Sequence, residues 1–325
     1  MKKKFNCKFT PLFLKDMQGT KNWSPWMQLA ILLILCGVGL IIGSLASAGI
    51  AFLFFHIPFN QLSEGLLNPK NVALLQVLQT VSSFFVMALP ALAFARMMNK
   101  KDALSELGFN RAISGKQFFI VVLMAISGLF IGGALAELNS MIPISKTAEQ
   151  FFQQLEDQYN EQVLALANMK TNSDFLLSLL VLALAPAIME EMLFRGTLQP
   201  VFISISKNAF IGILVTSILF SAIHFSFYGF LTRLFLGLLL GYVYYLSKNL
   251  WLNVSIHFLN NAVAVAQLYA LSKAGMLNND TINEHIPLYY GLIGVVTLAM
   301  LFFNFKRESE LVIARHNIIN HKYLK

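Results

Sequence analysis

Glu190, Glu191 and Arg195 stand in the segment LALAPAIMEEMLFRGTLQP, residues 182–200, among leucines, alanines and methionines. Two further polar groups follow: Phe220 and His224 in FSAIHF, and His257 and Asn261 in HFLNN. Carboxylates and imidazoles commonly activate water, and an asparagine amide commonly donates to an oxyanion. Together these residue types suit hydrolysis of an acyl bond. On a helix, Glu191 and Arg195 share a face and can pair. Glu190 lies about 100° around the axis and is left without that arginine. An ionised group inside a membrane span costs on the order of 3 kcal/mol, so Glu190 must face a partner or a watery cavity. Pro186, one turn earlier, weakens the backbone ladder and makes room for such water. The plainer reading is that these charges only knit helices together, as a lone membrane histidine usually does. A spare glutamate, two histidines and an asparagine on three spans weigh against it.

The elements that must position these residues are membrane helices. The chain has 325 residues, 57% hydrophobic and only 12% charged, with mean hydropathy +0.64. A soluble domain carries about a quarter charged residues. The composition therefore predicts an all-α integral membrane protein with an intramembrane polar cavity. Taking roughly 20 apolar residues per span, eight transmembrane helices are expected near 28–55, 72–95, 117–137, 175–196, 209–226, 229–247, 250–272 and 287–305. The corresponding regions are a basic tail (1–27), N-terminal helices (28–137), an extracytoplasmic amphipathic loop (138–173), a polar-residue core (174–272), and a last helix with a second basic tail (273–325). The first span is too long, and starts too late, for a cleaved signal peptide. Cys7 and Cys36 cannot build a disulfide framework and read as inert thiols.

Lysine and arginine cluster in alternate connections. They fill the N-terminal tail, the loop from Arg96 to Lys116 and the tail from Lys306 onward, and are sparse in the others. This bias predicts both termini in the cytoplasm and an even number of spans. The net charge of +8 is thus a topology signal, and nucleic acid is not an expected partner. Residues 145–168 carry Phe151, Phe152, Leu155, Tyr159, Val163 and Leu166 at helical spacing, with Gln, Glu and Asp between. They predict an amphipathic helix on the membrane surface, serving as a packed connector or a lid. His56, His285, His316 and His321 fall in loops or the tail and are expected to be solvated.

Glu190-Glu191-x-x-x-Arg195, Phe220-x-x-x-His224 and His257-x-x-x-Asn261, in that order, resemble the three motifs of the CPBP (CAAX protease/bacteriocin-processing, Abi) intramembrane proteases. That family includes the CAAX prenyl endopeptidases (CAAX prenyl protease 2) and the lysostaphin resistance protein A-like proteins. The resemblance covers roughly residues 174–265. It implies that Glu190 and His224 activate water, that His257 and Asn261 stabilise the oxyanion, and that Glu191, Arg195 and Phe220 support the site. It also implies an integral protein of a bacterial inner (plasma) membrane that cuts a membrane-associated peptide or protein within the lipid bilayer. A zinc metalloprotease with Glu190, His224 and His257 as ligands is the alternative. The chain has no His-Glu-x-x-His signature, and asparagine is a poor zinc ligand. No cofactor is therefore assigned. A non-catalytic immunity or scaffolding role is the other alternative. The motifs meet at one depth only if residues 197–208 continue the fourth span as helix, so that the fifth starts lower.

The charge bias gives a direct test. Reporter fusions after Lys21 and after Lys325 should both report the cytoplasm; a periplasmic signal at either junction contradicts the map.

Overall fold

A computed structural model describes residues 23–57, 72–99, 102–109, 112–167, 169–278, 281 and 287–323, with side chains as far as residue 315. Cys7, His285 and the side chains of His316 and His321 lie outside the described residues. Among the described residues the regular structure is entirely helical. In chain order the helices are α1 (Pro25–Phe55), α2 (Val72–Met98), α3 (Ala103–Leu107), α4 (Gly115–Ser140), α5 (Lys146–Leu166), α6 (Asn172–Ser206), α7 (Ala209–Ala222), α8 (Phe230–Ser247), α9 (Leu250–Ala274) and α10 (Leu288–Tyr323). Seven of these (α1, α2, α4, α6, α8, α9 and α10) are long and apolar enough to cross a membrane. The starts follow local chemistry. Ser24, Ser114, Ser145, Thr171, Asn208 and Asn249 each accept a hydrogen bond from a backbone N–H of the first turn, satisfying donors that the helix cannot.

Three of the eight expected spans differ clearly from their predicted limits: the fourth, the fifth, and the last, which runs on as α10 to Tyr323. The fourth runs from Asn172 to Ser206 as one 35-residue helix. The fifth, α7, has only 14 residues, short of the roughly 20 needed to span. Asn208 caps its start at the expected residue, Ala209, and Phe225, with a left-handed φ of 51°, prevents its continuation to 226. The continuation of α6 through 197–206 brings the motifs to one level. Counting about 1.5 Å per residue, Glu190 is about 24 Å from the Ser206 end and His224 about 22 Å from the Ala209 end.

The helix ends sort into two faces. Trp23 and Leu29 pack with Val201, Phe202 and Ile205, and Ser114 donates to Glu308 Oε1 at 3.0 Å. The backbone N–H of Leu250 donates to Gly108 O at 3.1 Å. The start of α1 therefore packs beside the end of α6, the start of α4 beside Glu308 of α10, and the start of α9 beside Gly108. On the opposite face, α5 covers the turn between α7 and α8. Phe152 stacks on Phe227 at 4.4 Å, and Ser226 donates to Glu156 at 3.3 Å. The polar Glu156 and Asn160 are buried while Phe151 is exposed. The helix is thus packed against its own protein, where the polar turn beneath it supplies Ser226 as a partner for Glu156.

Close helix packing rests on small residues. A Cβ at Gly39 of α1 would collide with the Phe85 carbonyl oxygen, whereas one at Gly37 meets nothing within 4 Å. Alanine favours a helix over glycine by about 1 kcal/mol. Gly37→Ala should therefore retain or raise the yield of monodisperse protein in size-exclusion chromatography, and Gly39→Ala should lower both yield and melting temperature. Equal behaviour of the two variants contradicts the α1–α2 packing.

Candidate active site

The site forms where α6, α7, α8 and α9 meet. Short wide turns of π-helix, Leu179–Leu184 and Phe194–Leu198, interrupt α6 on either side of the segment that bears Glu190 and Glu191. Such bulges are frequent at functional sites. The second places Arg195 on the widened turn, where its Nη1 donates to Glu191 Oε1 at 2.6 Å. Both side chains are wholly buried. Arg195 Nη2 also donates to Gly237 O in α8 at 3.3 Å, and its guanidinium lies over the Phe220 ring at 4.6 Å.

Glu191 does more than pair with Arg195. Its Oε1 also accepts from His257 Nδ1 at 2.9 Å, and its Oε2 accepts from Asn253 Nδ2 at 3.2 Å. Asn253 further donates to Leu240 O at 2.7 Å. One carboxylate thus ties α6 to α9, while Arg195 and Asn253 tie that junction to α8. Sequence reasoning missed Asn253. The signal was present: Asn253, His257 and Asn261 recur every fourth residue and so share one face of α9.

Glu190 faces a different environment. Its side chain is 14% exposed, against 0% for Glu191. Its Oε2 is buried without a hydrogen-bond partner, and His257 Nε2 stands 3.7 Å away. That gap exceeds a hydrogen bond. The two neighbouring glutamates are therefore distinct, as their separation around the helix predicts: Glu191 is saturated and Glu190 is open.

The two histidines are also distinct. His224 follows just after the end of α7, and its ring Nδ1 lies 2.8 Å from Phe220 O. A carbonyl only accepts, so Nδ1 carries the proton and caps the helix end. Nε2 of a neutral His224 then keeps its lone pair. His257 gives its Nδ1–H to a carboxylate, which leaves Nε2 turned to Glu190. The Phe220 ring meets both edge-on, 5.2 Å from His224 and 5.7 Å from His257 between centroids. Asn139 fixes the turn that follows His224, donating to Phe227 O at 2.9 Å and accepting from Leu231 N at 3.0 Å. Asn261 lies one turn beyond His257; its Oδ1 accepts from Asn260 at 3.3 Å, leaving the Asn261 amine unengaged by the described residues. Among the described residues no group of three or more His, Cys, Asp or Glu side chains is arranged to hold a metal ion, Glu190, His224 and His257 included.

Residues 172–263, which contain all three motifs, match the family model described as type II CAAX prenyl endopeptidase Rce1-like. This segment is similar to Rce1-like domains. Comparisons with curated proteins and with solved structures returned no match. An Rce1-like domain within a chain of apolar helices supports a CAAX-type intramembrane endopeptidase, integral to the membrane and acting on a membrane-associated substrate.

The inequality of the glutamates generates a prediction. Glu191→Gln leaves the buried Arg195 without its counter-ion and should lose roughly 3–5 kcal/mol of stability. Glu190→Gln removes a carboxylate that accepts no hydrogen bond from the described residues and should leave the melting temperature within a few degrees of the parent. Equal losses of folded protein in the two variants contradict the division of roles.

Proposed function

We propose that this chain hydrolyses peptide bonds of membrane-associated proteins or peptides, with Glu190 and His224 activating water and His257 and Asn261 holding the oxyanion. The observation that carries this reading is the open Glu190 carboxyl oxygen beside a fully partnered Glu191. A water between Glu190 and His224 Nε2 loses a proton to Glu190 as its oxygen attacks the scissile carbonyl carbon. The C–O bond forms, and the carbonyl electrons move to oxygen. The oxyanion accepts hydrogen bonds from Asn261 Nδ2 and His257 Nε2. With Nδ1–H given to Glu191, His257 donates through Nε2 only when both ring nitrogens are protonated. Glu190, Glu191, Arg195 and a cationic His257 then sum to zero charge, which suits a poorly hydrated site. Collapse of the intermediate breaks the C–N bond, and the proton held by Glu190 passes to the leaving amine. Preorganised donors in such a site stabilise the transition state more than they would in water.

The zinc alternative draws no support from the arrangement of donors, and no step here uses a metal. Purified protein should cleave a membrane-associated peptide after exhaustive chelation. Glu190→Ala should abolish cleavage, and Asn261→Ala should lower kcat by about 100-fold or more, the usual loss for one oxyanion donor. Activity that disappears on chelation and returns with added zinc, with bound zinc lost in His224→Ala and His257→Ala, replaces this mechanism with the metal-dependent one. Folded protein that cleaves nothing supports the non-catalytic immunity or scaffolding role.

A further inference from the structure

Arg233 is the only charged residue in α8 and stands one turn from its start. Its Nη1 is buried and has no hydrogen-bond partner, and the ion pairs among the described residues leave it out. Its surroundings are built to hold a guanidinium. The Tyr159 ring of α5 lies 5.1 Å from Cζ. On another side is Gly229, where an added Cβ would come within 2.6 Å of Cζ. Bare backbone at Gly229 is therefore what admits the Arg233 head group. The same guanidinium is within electrostatic reach of Glu190 and His224, yet forms no ion pair with Glu190.

Arg233 is only partly buried, but its Nη1 is withdrawn from water without a counter-ion among the described residues, which is unfavourable, and an aromatic face offsets only part of that. An intramembrane arginine is normally paired or faces a functional cavity. Arg195 is already committed to Glu191, and His257 gives its Nδ1–H to the same carboxylate. The remaining need at this site is also electrostatic. An anionic group brought near Glu190 is repelled unless a cation meets it. A guanidinium fork matches a carboxylate in charge and shape.

We infer that Arg233 binds a carboxylate of the substrate, held between Tyr159 and the Gly229 backbone on the His224 side of the site. The inference rests on the endopeptidase reading above and extends it to the substrate's chemistry. The carboxylate belongs either to the peptide's C-terminus or to an acidic side chain near the scissile bond.

The test measures binding to the full-length chain in lipid nanodiscs by fluorescence anisotropy. The probes are a labelled apolar decapeptide with a free C-terminus, the same peptide as its C-terminal amide, and that amide with aspartate as its last residue. The free acid should bind about tenfold more tightly than the plain amide, the scale expected of one charge-assisted pair. Arg233→Gln should erase the preference, and Arg233→Lys should restore part of it. Binding of the aspartate amide at the level of the acid assigns the contact to a carboxylate in general; binding at the level of the plain amide assigns it to the C-terminus. Competition by butyrate on the unaltered chain should release the acid and not the amide, which answers the question even if Arg233→Gln does not fold. Equal affinity for all three probes, no binding of any, or a preference that persists in Arg233→Gln overturns the inference. Cleavage without carboxylate discrimination overturns it while leaving the endopeptidase reading intact. Carboxylate-dependent binding without cleavage does the reverse.

Discussion

The site depends on one buried carboxylate. Glu191 is wholly enclosed and meets Arg195, His257 and Asn253 at once. Each contact answers a need that burial creates. Arg195 requires a counter-ion, the His257 ring requires an orientation, and the Asn253 amide requires an acceptor. Because Glu191 meets all three, its neighbour Glu190 is left with a buried oxygen that has no hydrogen-bond partner. Two residues of one type, adjacent in sequence, thus take opposite roles because a helix turns them about 100° apart.

The backbone around this junction is adapted to it. The wide turn at Phe194–Leu198 carries Arg195, and α8 offers the carbonyls of Gly237 and Gly241 to Arg195 and Gln199. Glycine is needed at both places, since a Cβ would press on Ser217 at 2.9 Å and on Ile213 at 2.6 Å. Close approach of α7 and α8 therefore exposes the backbone acceptors that the buried polar side chains use. At the other end of α7, the left-handed Phe225 turns the chain away just after His224. His224 then caps the final turn through Nδ1 and directs Nε2 elsewhere.

Much of this was legible in the sequence. Apolar runs located the long helices, because a spanning segment needs a fixed length of apolar residues. Spacing alone paired Glu191 with Arg195 and set Glu190 apart. The same chemistry pointed to His224, His257 and Asn261 on other spans. The length of α6 was legible only as a requirement, since residues 197–206 are apolar enough to read as loop, helix or span. The shortness of α7 was hidden because nothing in FSAIHFSFYG besides one glycine marks a turn; the turn is fixed from outside by Asn139 and Glu156. The bond between His257 and Glu191 was also hidden. Periodicity describes one helix at a time, and that bond depends on which face of α9 meets α6.

The central claim is that Glu191 and Arg195 form one structural unit that leaves Glu190 to the chemistry. A double-mutant cycle on thermal unfolding of Glu191→Met, Arg195→Met and the double variant measures this directly. Each single change strands a buried charge or its partners, whereas the double change removes both charges together. The double variant should therefore be more stable than the sum of the single losses allows, with a coupling of about 2 kcal/mol or more. Strictly additive losses would show that the two residues act independently and would contradict the account.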